Sequence, residues 1–173
     1  MNNRALPALL LALAIPCAIA APAEPTGISD ALRASADERL DFVMNAQGFQ
    51  IYVCKPHPKD AYAYQWAFVA PEATLFEDGK IVGQHGAGPT WEAPDGSKVK
   101  GAVRQRQDGG AGNIPWLLLG GTPEGTGRFA GVTSIQRLAT RGGVEPKDGC
   151  DQFSTGREMR VPYTADYYFY KRK

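Results

Sequence analysis

The chain has 173 residues, with 19 lysines and arginines against 18 aspartates and glutamates, 20 glycines, 13 prolines and three cysteines. That length accommodates one domain with one core. So even a charge balance excludes a nucleic-acid binder of the usual kind, which carries a clear basic excess.

Arg4 precedes an apolar run from Ala5 to Ala20, and small residues stand at Ala18 and Ala20 or at Ala21 and Ala23. This is the grammar of a secretory signal peptide over residues 1–23, with cleavage after Ala20 or Ala23, so a secreted or periplasmic protein is expected. A membrane anchor is the competing reading, but Pro16 breaks the run, which is shorter than the roughly 20 residues that span a bilayer. No membrane span is expected. Cys17 would be acylated in a lipoprotein only behind a small residue, and Pro16 stands there. Cleavage would leave Cys54 and Cys150, which in an oxidising compartment are expected to pair. Free thiols or a two-cysteine metal site compete with that pairing, but a Cys-x-x-Cys spacing is absent.

Residues 24–39 are rich in Pro, Gly, Ser and Ala and then weakly amphipathic, an extended leader with at most one short helix. From Leu40 the texture changes. Leu40, Phe42 and Met44 alternate with Asp41, Val43 and Asn45, Gln47-Gly48 supplies a turn, and Phe49, Ile51 and Val53 alternate with Gln50, Tyr52 and Cys54, which predicts a β-hairpin. Lys55 to Tyr62, with two prolines and His57, is predicted as a loop. Tyr64 to Val69 is a strand that Pro71 ends, Ala73 to Phe76 a further short one, and Glu77-Asp78-Gly79-Lys80 a turn into Ile81–His85. Thr90-Trp91-Glu92 and Lys98 to Val103 flank a turn at Pro94-Asp95-Gly96-Ser97. After a glycine-rich loop, Ile114 to Leu119 is the most hydrophobic run of the mature chain and reads as a strand buried on both faces. In Phe129 to Ala139, Val132, Ser134 and Gln136 share one side while Thr133, Ile135 and Arg137 share the other. Met159 to Tyr170 interleaves β-branched and aromatic residues, which suit a sheet.

About nine short strands and almost no 3.6-residue periodicity predict an all-β fold, a single-domain antiparallel β-sandwich or barrel over residues 40–173. Several motifs in order carry a family likeness: Gly48-Phe49-Gln50-Ile51-Tyr52-Val53-Cys54, Ala70-Pro71-Glu72-Ala73, His85 through Val99, Ile114 through Leu119, Ile135-Gln136-Arg137, and Val161 through Tyr170. In these the chain, from about Leu40 to Tyr170, resembles the secreted bacterial and fungal proteins of the DUF3455 family. That family has no established function, so the resemblance implies a single secreted domain and supplies no catalytic residues.

The densest chemistry lies between His85 and Val99. A ligand cleft is predicted from His85, Thr90, Trp91, Glu92, Asp95 and Lys98, a polar and aromatic cluster beside bending glycines, and the leading expectation is a non-catalytic binding domain for a glycan or small molecule. The enzyme alternative is a hydrolase or metal-dependent enzyme using His85 with Asp95 or Glu92. A triad of His85, Asp95 and Ser97 or Ser134 lacks the Gly-x-Ser-x-Gly elbow. Glu92 and Asp95, as a glycosidase pair, are three apart in a hairpin and point to different faces. His57 and His85 could meet Asp60, Glu92 or Asp95 around copper or zinc, yet their spacing fits no local metal motif, so no metal is expected. Glycine runs at 109–112 and 125–127 do not fit a dinucleotide cradle, and no cofactor is expected. A structural cell-envelope protein is the third reading.

Overall fold

The computed structural model describes residues 22–173; the expected signal peptide and Cys17 lie almost wholly outside them. Eight strands follow in order: β1 Glu38–His57, β2 Asp60–Glu77, β3 Lys80–Gly86, β4 Thr90–Glu92, β5 Lys98–Gln107, β6 Trp116–Glu124, β7 Val132–Gly142 and β8 Glu158–Arg172. Each runs antiparallel to the next and β8 returns to β1, closing an up-and-down barrel. Closure removes sheet edges, and eight strands enclose an interior that side chains fill or that holds one small ligand.

Two long strands replace four expected short ones. β1 runs straight through Gln47-Gly48: a Cβ on Gly48 would lie 2.1 Å from the Glu72 carbonyl oxygen and 2.5 Å from the Ala73 Cα, so the glycine permits a close crossing of two strands and makes no turn. β2 runs through Pro71, which pairs with Gln50 of β1, while β3 joins β2 only from Ala73 onward. The missing proline N–H therefore falls on the side without a ladder. The loop expected at Lys55 to Tyr62 shrinks to Pro58-Lys59. At Asp78-Gly79 both residues take positive φ, 50° and 74°, as a two-residue hairpin of type I′ requires.

Alternation fills the barrel with one apolar cluster that includes Phe42, Met44, Leu75, Trp91, Val99, Leu119, Phe129, Ile135 and Phe169. Phe42 and Phe169 stack with centroids 4.8 Å apart. Leu118, on the other phase of β6, packs outside with Leu138 under Leu32 of the leader, which explains why the Ile114 to Leu119 run is apolar on both faces. Gln136 Nε2 donates to the Leu32 carbonyl at 2.6 Å and fastens the leader there. A third cluster gathers Tyr52, Cys54 and Trp66 against Cys150. Cys54 and Cys150 form a disulfide across 96 residues of chain; in the chain-entropy account, a loop of that length stabilises the fold by about 4 to 5 kcal/mol.

Candidate functional site

Strand alternation divides the six residues of the expected cleft. His85 pairs with Trp91 and Trp91 with Val99, and all three are buried on the inner face. Thr90, Glu92 and Lys98 fall on the opposite phase and line a groove of about 660 Å³ on the outer face, to which His85 also contributes. Glu92 and Lys98 stand opposite each other and pair at 3.0 Å while half exposed, an interaction of small net worth. Asp95 lines neither this groove nor the barrel interior. Its Oδ1 accepts from the Ser97 N–H at 2.9 Å and the Ser97 hydroxyl at 2.6 Å, and its Oδ2 accepts from the Arg128 N–H at 2.8 Å. The bond from the Ser97 hydroxyl, with the backbone donors, holds the Asp95 carboxyl below the usual range. Asp95 thus ties the β4–β5 turn to the segment before β7.

The His85 ring stacks on Trp91 at 4.4 Å and 14° and meets the edge of Tyr167 at 5.1 Å. Its Nδ1 lies 3.0 Å from the Thr90 carbonyl oxygen; a carbonyl only accepts, so this nitrogen carries the proton. Burial pushes the His85 pKa down to about 3; the Thr90 bond opposes that shift and the Arg137 cation reinforces it. The ring is neutral at physiological pH. It hydrogen-bonds neither Asp95 nor Glu92 among the described residues. His57 sits at the β1–β2 turn, its Nδ1 accepting from the Lys59 N–H at 3.3 Å, and no three His, Cys, Asp or Glu side chains gather into a metal-sized cluster among the described residues.

A second concavity, about 720 Å³, enters the barrel itself. It exists because β3 and β4 are too short to complete the wall: residues 60–72 of β2 pair with β1 alone, and residues 102–107 of β5 pair with β6 alone. A bulge at Val69 sets Phe68 opposite the buried Tyr52, and a bulge at Arg104 sets Arg106 opposite the inward Leu117. Bulges re-aim side chains in this way at barrel rims and beside sites. Phe68, Val69, Val103 and Val144, each between 37% and 55% exposed, form an apolar rim. Gln50, Tyr52, His85, Trp91, Arg137 and Tyr167 form the wall behind it.

Arg137 sets the chemistry of that wall. It stands opposite Leu117 on β6 and Tyr167 on β8, so its side chain shares their inward face. Its Nε and Nη2 both donate to the Pro115 carbonyl, at 3.1 and 2.8 Å, and no carboxylate pairs with it among the described residues. Around it, four buried polar atoms make no hydrogen bond of good geometry among the described residues, Gln50 Nε2, Trp91 Nε1, Tyr163 OH and Tyr167 OH, although the Tyr167 hydroxyl lies beside Arg137 and the Tyr163 hydroxyl beside Gln50. Tyr163 and Tyr167 sit near enough to influence each other's ionisation without hydrogen-bond geometry; burial, the larger effect, pushes both hydroxyls up. Tyr52 is pushed up to about 12 by burial, with Glu145 adding to the rise, and its hydroxyl donates to the Gly143 carbonyl at 2.6 Å. Unpartnered buried polar groups cost about 1 to 3 kcal/mol each and are rare in folded proteins, so four together beside a guanidinium that lacks a carboxylate partner mark this end of the barrel. Of the six expected residues only His85 and Trp91 reach it. The sequence reading missed Arg137, although its place on the same strand face as Ile135, a core residue, was a usable signal.

The sequence profile of the family described as "Protein of unknown function (DUF3455)" matches residues 35–171. No curated protein and no solved structure matches the chain. The match takes in all eight strands except the last residue of β8, and with them both walls of the second concavity, β2 and β5. The chain therefore belongs to the DUF3455 family.

Proposed function

We propose that this domain is a non-catalytic binding protein that takes a small molecule into the open end of its barrel, in a secreted or periplasmic setting. One observation carries the reading: the slot between β2 and β5 joins an apolar, solvent-facing rim to a buried wall of unpartnered polar atoms. A volume of about 720 Å³ is in the range of small-molecule sites, which are largely apolar with a few placed polar groups. The inner wall also offers no assembled hydrolytic set, since His85 is bonded to a backbone carbonyl and Asp95 to its own turn. The formed Cys54–Cys150 bridge supports an oxidising compartment. The outer groove is the less favoured place for a ligand, because its charges are already paired within the protein, Glu92 with Lys98 and Lys100 with Glu124.

The neutral fluorophore N-phenyl-1-naphthylamine tests this without presupposing a ligand charge. Its emission should rise saturably at one site per chain. Val103→Trp, which fills the slot from an exposed position, should abolish the rise, while the double substitution Glu92→Ala with Lys98→Ala in the outer groove should leave it unchanged. The opposite pattern, loss in the outer-groove variant and persistence in Val103→Trp, would overturn the proposal.

A further inference from the structure

We infer that the ligand is a compact amphiphile with an apolar body and one anionic group, a carboxylate or sulfonate, seated on Arg137 at the inner end of the slot. This rests on the reading of the slot as a binding site and adds to it the chemistry of what enters.

The charged side chains lining the slot are Arg106, Arg137 and Glu145, two cations against one anion, and His85 beside them is neutral. The site therefore carries one net positive charge, which complements a single negative group. Arg137 is the cation placed to use it. Its guanidinium is partly buried, directs Nε and Nη2 at one backbone carbonyl, and pairs with no carboxylate among the described residues. A guanidinium offers five N–H donors in a planar fork that suits carboxylate and sulfonate oxygens. Tyr167, which lines the same end of the slot, lies beside this guanidinium.

The rim fixes the other half of the molecule. Phe68 and Val69 on the β2 side and Val103 on the β5 side, with Val144 beyond β7, present hydrocarbon to solvent, where a free sugar would find few groups to bond its hydroxyls. Such a rim selects a flat or bulky apolar body, and the inner end of the slot selects its anionic substituent.

Calorimetry with three probes that share one ring system reads this directly: 2-naphthoate, 2-naphthylmethanol and 2-naphthylmethylammonium. The expected result is one-to-one binding of 2-naphthoate at least about tenfold tighter than either of the others, since a hydrogen bond to a charged group supplies that much discrimination. Arg137→Met should weaken 2-naphthoate about tenfold or more and leave 2-naphthylmethanol nearly unchanged. Should that variant fail to fold, Glu145→Gln at an exposed position should tighten 2-naphthoate several-fold. Equal or stronger binding of the alcohol or the ammonium, with all binding blocked by Val103→Trp, would overturn the anionic class and leave the slot standing as a site. No binding of any probe, joined to a fluorophore response that Val103→Trp does not change, would overturn both.

Discussion

His85 shows how burial changes what a residue can do. A histidine free in water titrates near pH 6.5; stacked between Trp91 and Tyr167 with Nδ1–H bonded to the Thr90 carbonyl, it is held neutral, with its pKa near 3. The sign of the stability effect follows from which state binds the proton. Below about pH 6.5 the unfolded chain takes up a proton that the folded ring refuses, so the contribution is fully present above that pH and is lost as pH falls toward 3, at no more than about 1.4 kcal/mol per unit for one proton. His85→Phe keeps a ring against Trp91 and removes the titration. Urea unfolding of the two proteins between pH 7 and 5, above the carboxylate range, should therefore show a fall in stability for the native chain that exceeds the fall in the variant; parallel pH curves would contradict the burial argument. Arg137 is the complementary case, a guanidinium two of whose N–H groups are met by the Pro115 carbonyl while no carboxylate faces it among the described residues.

At the scale of elements, what the sequence reveals depends on whether the cause is local. The shared face of Phe42 and Met44 and that of Ile135 and Arg137, the apolar run to Leu119, and the turns at Asp78-Gly79 and Asp95-Gly96 were legible because period and turn chemistry act within a few residues. Gly48 and Pro71 were misread because their reasons lie on the neighbouring strand. Glycine inside β1 answers to the backbone of β2 at Glu72 and Ala73. Gly48→Ala should therefore destabilise the barrel by about 1 to 3 kcal/mol, the usual cost of overpacking where the obstacle is backbone, a loss visible in the urea midpoint; no change would mean that β1 bends away freely at this point. The candidate site was half legible for the same reason. Chemical density along His85 to Lys98 was visible, but alternation sends Thr90, Glu92 and Lys98 outward and His85 and Trp91 inward. The residues that join the last two, such as Gln50, Phe68, Val103, Arg137 and Tyr167, come from five other strands that no local pattern assembles.

For the whole molecule, the short β3–β4 hairpin is the consequential departure from a regular barrel. Seven and three residues of strand between partners of eighteen and ten leave the wall open along one end, while the far end is packed by Phe42, Phe129 and Phe169. The Cys54–Cys150 bridge anchors the segment between β7 and β8 to β1 near this open end, beside Tyr52 and Trp66, and the leader braces the outer face through Leu32. Barrel walls on either side of the slot, with an arginine behind it, are the architecture on which the binding proposal depends. The indole N–H of Trp91 reports on it from within, because that group has no hydrogen-bond partner among the described residues, whereas the Trp66 indole donates to the Asp148 carbonyl at 2.9 Å. The most direct test is a nitrogen–proton correlation spectrum of the labelled protein titrated with 2-naphthoate: the Trp91 indole and the amides of Phe68, Val69 and Val103 should shift together and saturably, with the Trp66 indole and the Glu92 and Lys98 amides unmoved. Shifts confined to Glu92, Lys98 and their neighbours on the outer groove, or none at saturating probe, would contradict the account.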